Sequence, residues 1–172
     1  MKKQKFIHPR QLTIPADFEP LLPCDFDETY RCGIFLFNIE KLLPYVEEHK
    51  GEIQLNSIIV SEWRQADGLD DEYVDLADLD RPVILAEIAP DRVGTHPSIS
   101  SSDWNARGFV LIDGHHRIEK AFRYGVKQLP AYILSMEQHI RFMYSGFKEY
   151  GSYWNGKLRD YAADLKKQRT YL

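Results

Sequence analysis

The fold is decided by the stretch Leu111-Ile112-Asp113-Gly114-His115-His116-Arg117-Ile118-Glu119-Lys120-Ala121-Phe122-Arg123-Tyr124-Gly125. With the preceding Phe109-Val110 it begins as an apolar run containing β-branched residues, which predicts a buried strand. Beyond Asp113-Gly114 the residues Ile118, Ala121 and Phe122 recur at helical spacing, and Gly125 stands where a glycine commonly ends a helix. The stretch therefore predicts a strand, a tight turn and a helix in direct succession.

The predicted turn has the features of an anion site. The first N–H groups of a helix have no partner within it, and the helix dipole is positive at that end. Gly114 would let a ligand approach the backbone, and Arg117 could grip phosphate oxygens with two parallel hydrogen bonds. Because cations oppose the dipole there, His115, His116 and Arg117 favour a bound anion, namely phosphate. The alternative is that Asp113 only caps the helix and the histidines are solvated.

Three strands are predicted around this turn, in an order typical of one family: Arg81–Leu85, Phe109–Ile112 and Leu129–Leu134. With the Gly-x-x-Arg turn and its helix, they resemble the core of the ParB/sulfiredoxin-like superfamily over about a third of the chain. The resemblance implies a single α/β (α+β) domain with a small mixed sheet and flanking helices. It also implies that the turn binds nucleotide phosphates through Gly114, His115, His116 and Arg117.

Departures from the family narrow what the resemblance implies. Sulfiredoxins carry a catalytic cysteine where this chain has His115, so reduction of a sulfinic acid is not expected. Chromosome-partitioning members have Gly-Glu-Arg-Arg at this turn and continue into a helix-turn-helix domain, whereas 38 residues follow Leu134 here. The Asp-Gly-His-x-Arg pattern is most similar to the free-serine kinases of the superfamily, which phosphorylate a small hydroxyl group with a nucleotide donor.

We therefore expect a nucleotide-phosphate-binding protein that acts as a small-molecule phosphotransferase. Its cofactor would be a nucleoside tri- or diphosphate with Mg²⁺, for which Asp113 is the natural carboxylate ligand. Asp113 and His115 are the candidate catalytic residues, since one can orient the metal or the acceptor and the other can stabilise transferred charge. A base near the acceptor could come from Glu47-Glu48-His49. Two alternatives stay open: a non-catalytic nucleotide-responsive binding protein and a ParB-like nucleic-acid-processing protein.

Composition limits the partners and the compartment. The 172 residues carry a net charge of −4, so the balance of charge does not support binding to nucleic acid. No apolar run approaches the roughly 20 residues that span a bilayer, so no membrane association is expected. The sequence shows no secretory signal, and we expect free thiols at Cys24 and Cys32 and a cytoplasmic location.

Three segments are predicted along the chain: an extended N-terminal arm (1–30), the ParB/sulfiredoxin-like domain (31–148) and a C-terminal helical extension (149–172). Within the domain, Gly33–Asn38 is predicted to be a strand, with Asn38 capping a helix that Pro44 kinks or divides. The region Ile53–Trp63 suits either a strand or a helix.

Four more predictions concern the loops and the C-terminal half. The acidic stretch Gln65–Asp80 is interpreted as a solvated face rather than a metal site, and the region 89–107 is predicted to be a long loop. A capping box at Ser135 predicts a helix whose apolar face includes residues 140, 143, 144 and 147. A last helix is predicted over Leu158–Gln168, after a group of aromatic residues at 150–154.

Overall fold

The computed structural model describes residues 21, 27–32, 35–65, 67–88 and 108–144. Cys24, the predicted loop 89–107, the aromatic group at 150–154 and the predicted last helix lie outside the described residues. The division into arm, domain and extension stays a prediction, although strand β1 begins at Thr29, so the end of the predicted arm is part of a sheet.

The strands form two sheets. A two-stranded antiparallel ribbon is made by β1 (Thr29–Cys32) and β2 (Phe35–Asn38). A four-stranded sheet has the order β3-β6-β4-β5 and consists of β3 (Gln54–Ile59), β4 (Val83–Glu87), β5 (Phe109–Asp113) and β6 (Gln128–Leu134). Strands β4 and β6 are parallel and the other pairs are antiparallel, so the sheet is mixed, as predicted.

Short helices complete the α+β fold. They are α1 (Ile39–His49), α2 (Val60–Trp63), α3 (Asp71–Leu76), α4 (His115–Arg123) and α5 (Met136–His139), which a 3₁₀ turn (Ile140–Phe142) follows. The ambiguous region Ile53–Trp63 contains both predicted structures, since β3 passes directly into α2.

Strands β4 and β5 are buried on both faces of the sheet, which explains why their sequences are unbroken apolar runs. Alternate residues of β5 point to opposite faces: Val110 and Ile112 pack with α1 and the ribbon, whereas Phe109 and Leu111 pack with Trp63 and with α4. Strand β4 alternates in the same way. The strand that ends in the turn is therefore fixed from two sides by hydrophobic contacts.

The cap of α1 confirms a local prediction. The Asn38 side chain accepts a hydrogen bond from the Lys41 N–H at 2.8 Å, and the helix begins at Ile39. Pro44 lies inside the helix without dividing it, so of the two alternatives, a kinked or a divided helix, the divided helix is wrong.

Two predictions about helical faces are wrong. Phe122 is 42% exposed, whereas Ile118 and Ala121 of α4 belong to the hydrophobic core. The Arg64 guanidinium lies over the Phe122 ring, 4.0 Å from its centre. The capping box at Ser135 is present, but the helix does not continue through Met143 and Tyr144. Met143 instead forms an antiparallel bridge with Phe37, and this tertiary pairing overrides the helical spacing.

Candidate functional site

The turn between β5 and α4 depends on Gly114. This residue is the N-cap of α4 and has a φ of 104°, in the left-handed region that favours glycine. A Cβ atom at this position would lie 2.6 Å from Val83 Cγ1 and 2.8 Å from Val83 Cβ. The backbone conformation and the close packing on β4 therefore both require glycine here.

No side chain of the described residues caps α4, and the first turn of the helix contains no acidic residue. Asp113 is the last residue of β5, so its predicted alternative role as the cap is wrong. The other end of the helix is closed as predicted, because the N–H of Gly125 bonds to the Phe122 carbonyl and that of Val126 to the Ala121 carbonyl. The first-turn N–H groups of α4 are the polar groups that a ligand could engage.

Arg117 is buried at the turn, and its side chain lies next to Asp113 and Gly114. It is 8% exposed, and one terminal nitrogen (Nη2) donates to Asp113 Oδ2. The other nitrogen, Nη1, donates to the carbonyl of Pro82 at 2.7 Å and to that of Arg81 at 3.3 Å. The structure thus gives Arg117 contacts that the sequence did not predict, and its contact with phosphate stays a prediction.

His115 is a neutral rather than a cationic member of the site. Its ring lies 4.8 Å from the ring of Tyr30 on β1, and its buried Nε2 atom has no hydrogen-bond partner within the described part of the chain. Burial lowers the pKa of His115 to about 4, against the opposing effect of Asp113. A neutral imidazole does not oppose the helix dipole. His116 is half-buried, with its ring 5.8 Å from that of Tyr73.

A cleft of about 310 Å³, here called the turn cleft, opens at the N-terminus of α4. Gly114, His115 and His116 line it from the helix, and Tyr30 lines it from β1. Its remaining lining residues are Glu28, Thr29, Ile39, Gln65, Asp67, Leu69, Ile112 and Asp113. Three of these carry carboxylates, so the cleft is acidic around a helix end that favours an anion.

A second cleft, here called the α1 cleft, has a volume of about 220 Å³ and lies on the other side of Asp113. One face of α1 lines it with Leu43, Val46, Glu47 and Lys50. Its remaining lining residues are Asp80, Arg81, Pro82, Ile84, Asp113, Arg117 and Tyr132. Of the predicted Glu47-Glu48-His49 group, only Glu47 reaches this cleft, where it pairs with Lys50 at 2.7 Å.

Sequence reasoning missed Tyr30 and Lys50, which only the tertiary structure brings to the turn. Lys50 is the C-cap of α1 and lies three residues beyond Glu47, so the helical spacing was a signal that it shares a face with the predicted base. Tyr30 lies on β1, and no pattern in its neighbourhood points to His115.

Asp113 is the predicted ligand of Mg²⁺. Among the described residues, no three His, Cys, Asp or Glu side chains are grouped so that they could hold a metal ion. Arg117 already contacts one oxygen of Asp113. The described residues therefore do not build a metal site on their own, but one carboxylate is enough for a Mg²⁺ ion that arrives on a nucleotide. Cys32 has a free thiol.

Comparison of the chain with protein-family models, with curated proteins and with solved structures finds no match. The described helices include none with the length and apolar character needed to cross a bilayer. The α+β fold is thus observed, whereas the resemblance to the ParB/sulfiredoxin-like superfamily stays an expectation drawn from the sequence.

Proposed function

We propose that this chain binds the phosphate groups of a nucleotide in the turn cleft and transfers one of them to a small hydroxyl compound, as a ParB/sulfiredoxin-like phosphotransferase. The observation that carries the proposal is the uncapped N-terminus of α4, which the left-handed Gly114 opens toward a cleft of about 310 Å³. That volume is within the usual range for small-molecule sites.

The charges around the turn cleft favour a nucleotide that carries Mg²⁺. Glu28 and Asp67 line the cleft with Asp113, and these carboxylates would repel a free polyphosphate. With Mg²⁺ bound, the nucleotide brings its own compensating charge, and Asp113 would hold the ion. The ion would neutralise charge on the phosphate groups.

The protein residues have separate roles in this proposal. The N–H groups of the first turn of α4 bind phosphate oxygens, and the neutral imidazole of His115 offers a hydrogen bond without adding charge. Asp113 lines both clefts, so an acceptor in the α1 cleft would lie beside the same carboxylate. Glu47 also lines that cleft, on α1, and is the candidate base.

One observation favours a second candidate, a nucleotide-responsive binding protein without turnover. Tyr30 contacts His115 from the β1–β2 ribbon, which is a separate sheet from the one that carries the turn. A ligand at the turn would therefore act on the ribbon through this contact, and the other contacts of the ribbon could change when the ligand binds. The third alternative, processing of nucleic acid, is disfavoured by the acidic lining of the turn cleft.

The experiment that tests the proposal combines binding with turnover. Thermal unfolding is followed with ATP, GTP, ADP and pyrophosphate, each with and without Mg²⁺; a ligand at 100 times its Kd stabilises the fold by about 2.7 kcal/mol. Phosphorus NMR then follows the nucleotide in the presence of hydroxyl amino acids, sugars or DNA. Transfer to a small hydroxyl supports the phosphotransferase, and stabilisation without turnover supports the responsive protein. Absence of stabilisation by every ligand contradicts both.

A charge reversal at the helix end gives a sharper test. His116→Glu places an acid in the first turn of α4. There its charge interacts favourably with the helix dipole, which stabilises the fold by about 0.3–1 kcal/mol, but it repels phosphate. We expect ATP affinity to fall at least tenfold in calorimetric titration while the unfolding midpoint stays or rises. Gln54→Glu adds the same charge on β3, at the opposite edge of the sheet, and should leave ATP affinity unchanged. Equal losses in both variants would argue against binding at the turn.

A further inference from the structure

We propose that Arg117 is a positioning residue, which clamps Asp113 and the turn to the start of β4 and does not itself contact the phosphate. The phosphate in this proposal rests on the proposed function. The contacts of Arg117 with Asp113 and with the start of β4, here called the clamp, can be tested without any ligand.

The clamp joins three elements at one point. Arg117 lies on α4, its carboxylate partner Asp113 ends β5, and the carbonyl groups of Arg81 and Pro82 immediately precede β4. The guanidinium therefore makes contacts to residues 35 and 36 positions away in addition to the contact one helical turn away.

The backbone ladder is irregular at this place, which explains why a side chain is needed. Ile84 pairs with Asp113, but Leu85 pairs with Leu111, so β5 holds one extra residue between the two pairs. A bulge of this kind leaves ladder groups unpaired and redirects the strand. Arg117 supplies hydrogen bonds to carbonyl oxygens just beyond the irregular register.

Gly114 leaves the space through which the guanidinium passes. A Cβ atom on Gly114 would lie 3.2 Å from Arg117 Nε, in addition to its close approach to Val83. The glycine and the arginine of the Gly-x-x-Arg pattern are thus linked by packing, not only by contact with a shared ligand.

The position of Arg117 determines which groups can meet a phosphate in the turn cleft. Bidentate binding of phosphate by an arginine needs two N–H groups directed at the ligand. The three contacts of Arg117 use three of its five N–H groups, and its side chain is only 10% exposed. Arg117 lines the α1 cleft and is not among the lining residues of the turn cleft, which the first-turn N–H groups face. Phosphate would then meet the first-turn N–H groups, whose position depends on the clamp.

The first test uses nitrogen-detected NMR of the arginine side chains in the wild-type protein. We expect the Arg117 side-chain N–H signals, identified by their loss in Arg117→Lys, to exchange slowly with solvent before any ligand is added. They should keep their positions when ATP with Mg²⁺ is added, while the amide signals of His115 and His116 shift. Arg117 signals that appear or shift only with the nucleotide would overturn the clamp. If no signal moves at all, the proposed binding fails while slow exchange still supports the clamp.

The second test is a double-mutant cycle measured by urea unfolding. Arg117→Met leaves the Asp113 carboxylate without its partner, so we expect a large loss in the free energy of unfolding. For the double variant with Asp113→Asn, the folding equilibrium constant should be at least ten times larger than the value that adding the two single effects gives. Arg123→Met, at an exposed arginine of the same helix, is the matched control and should be additive with Asp113→Asn. Additivity between Arg117→Met and Asp113→Asn would overturn the proposal.

A clamp that positions the turn also affects the native spectrum. We expect Arg117→Met, examined where it remains folded, to shift the amide signals of His115 and His116, and Arg117→Lys to reverse part of that shift. Unshifted first-turn amides would show that Arg117 contributes stability only, and would overturn its positioning role.

Discussion

At the scale of single residues, Gly114, Gly125 and Gly51 differ in their backbone φ and in the space around them for a Cβ atom. Gly114 combines a φ of 104° with a space that a Cβ atom would overfill. Gly125 has a φ of 73° and open surroundings, whereas Gly51 has open surroundings and no positive φ. The three positions therefore separate backbone strain from steric overlap.

We predict a graded effect of alanine at these positions. Gly51→Ala should change the free energy of unfolding by less than about 0.5 kcal/mol, and Gly125→Ala should lower it by about 1 kcal/mol through strain alone. Gly114→Ala should lower it by about 2–5 kcal/mol, since strain and overpacking add. Urea unfolding measures all three, and a Gly114→Ala variant no less stable than Gly125→Ala would contradict the packing seen at Val83.

Two buried histidines predict how stability depends on pH. Burial lowers the pKa of both His115 and His139 to about 4, whereas an unfolded chain titrates its histidines near 6.5. Between these values the unfolded state binds more protons, so the free energy of unfolding should fall as the pH is lowered from about 6.5 to 4. The loss should be on the order of 1–3 kcal/mol for each histidine.

The measurement is urea unfolding at several pH values in this window. His115→Gln removes one of the two buried histidines, so the free energy of unfolding of this variant should change less steeply with pH. The hydrogen bond from Arg64 lowers the pKa of Glu119 to about 2. The contribution of this carboxylate to the free energy of unfolding is therefore lost only below about pH 4.5, mainly outside the range in which the histidines titrate. A stability that is constant from pH 6.5 to 4.5 would contradict the buried, neutral state of the histidines.

At the scale of elements, α4 is held by charged contacts on the side away from the turn. The Glu119 carboxylate is 4% exposed and accepts hydrogen bonds from Arg64 at 2.7 and 3.1 Å and from Arg123 at 2.9 Å. Arg123 also donates a hydrogen bond to Asp71 at the start of α3, and Lys120 donates to two carbonyl groups at the end of α3. This network connects α2, α3 and α4.

We predict that Glu119→Gln lowers the free energy of unfolding by about 3–5 kcal/mol, because two arginines then lose their buried charged partner. Asp71→Asn removes the outer carboxylate of the same network, which is 80% exposed, and should cost less than about 1 kcal/mol. Chemical denaturation of the two variants checks the contrast. Equal losses would mean that the inner pair contributes no more than a surface ion pair.

At the scale of the whole molecule, the turn cleft is assembled from segments distant in sequence. The ribbon contributes Tyr30, α1 contributes Ile39, and the segment between α2 and α3 contributes Gln65 and Asp67. A ligand in this cleft would contact all of them at once. Binding and the stability of the ribbon should therefore be coupled.

We predict that ATP with Mg²⁺ slows amide hydrogen exchange in β1 together with the first turn of α4. Strand β3 lies at the opposite edge of the sheet and should keep its exchange rates, which makes it the internal control. Hydrogen exchange followed by mass spectrometry gives this comparison on a single sample. Slower exchange in β3 but not in β1 would contradict binding in the turn cleft.

Features that depend on neighbouring residues were determined by the sequence itself. The strand-turn-helix at the site, the Asn38 cap, the Gly125 helix end and the Ser135 capping box were all predicted and are all present. Each depends on φ angles and hydrogen bonds within about five residues of chain. The mixed sheet was also predicted, from strand order and the family resemblance together.

Only the tertiary structure decided where the long side chains and the outer faces point. Arg117 contacts the carbonyl group of Pro82 and the Asp113 carboxylate, two contacts that the sequence did not predict, whereas its contact with a ligand stays a prediction. Phe122 was predicted to be buried and is instead covered by Arg64. The helix predicted through Met143 ends early because Phe37 offers a strand partner. A flexible side chain or a marginal helical turn takes the best partner that folding brings near. The partners Pro82, Arg64 and Phe37 all lie tens of residues away in the sequence from the residues that they contact.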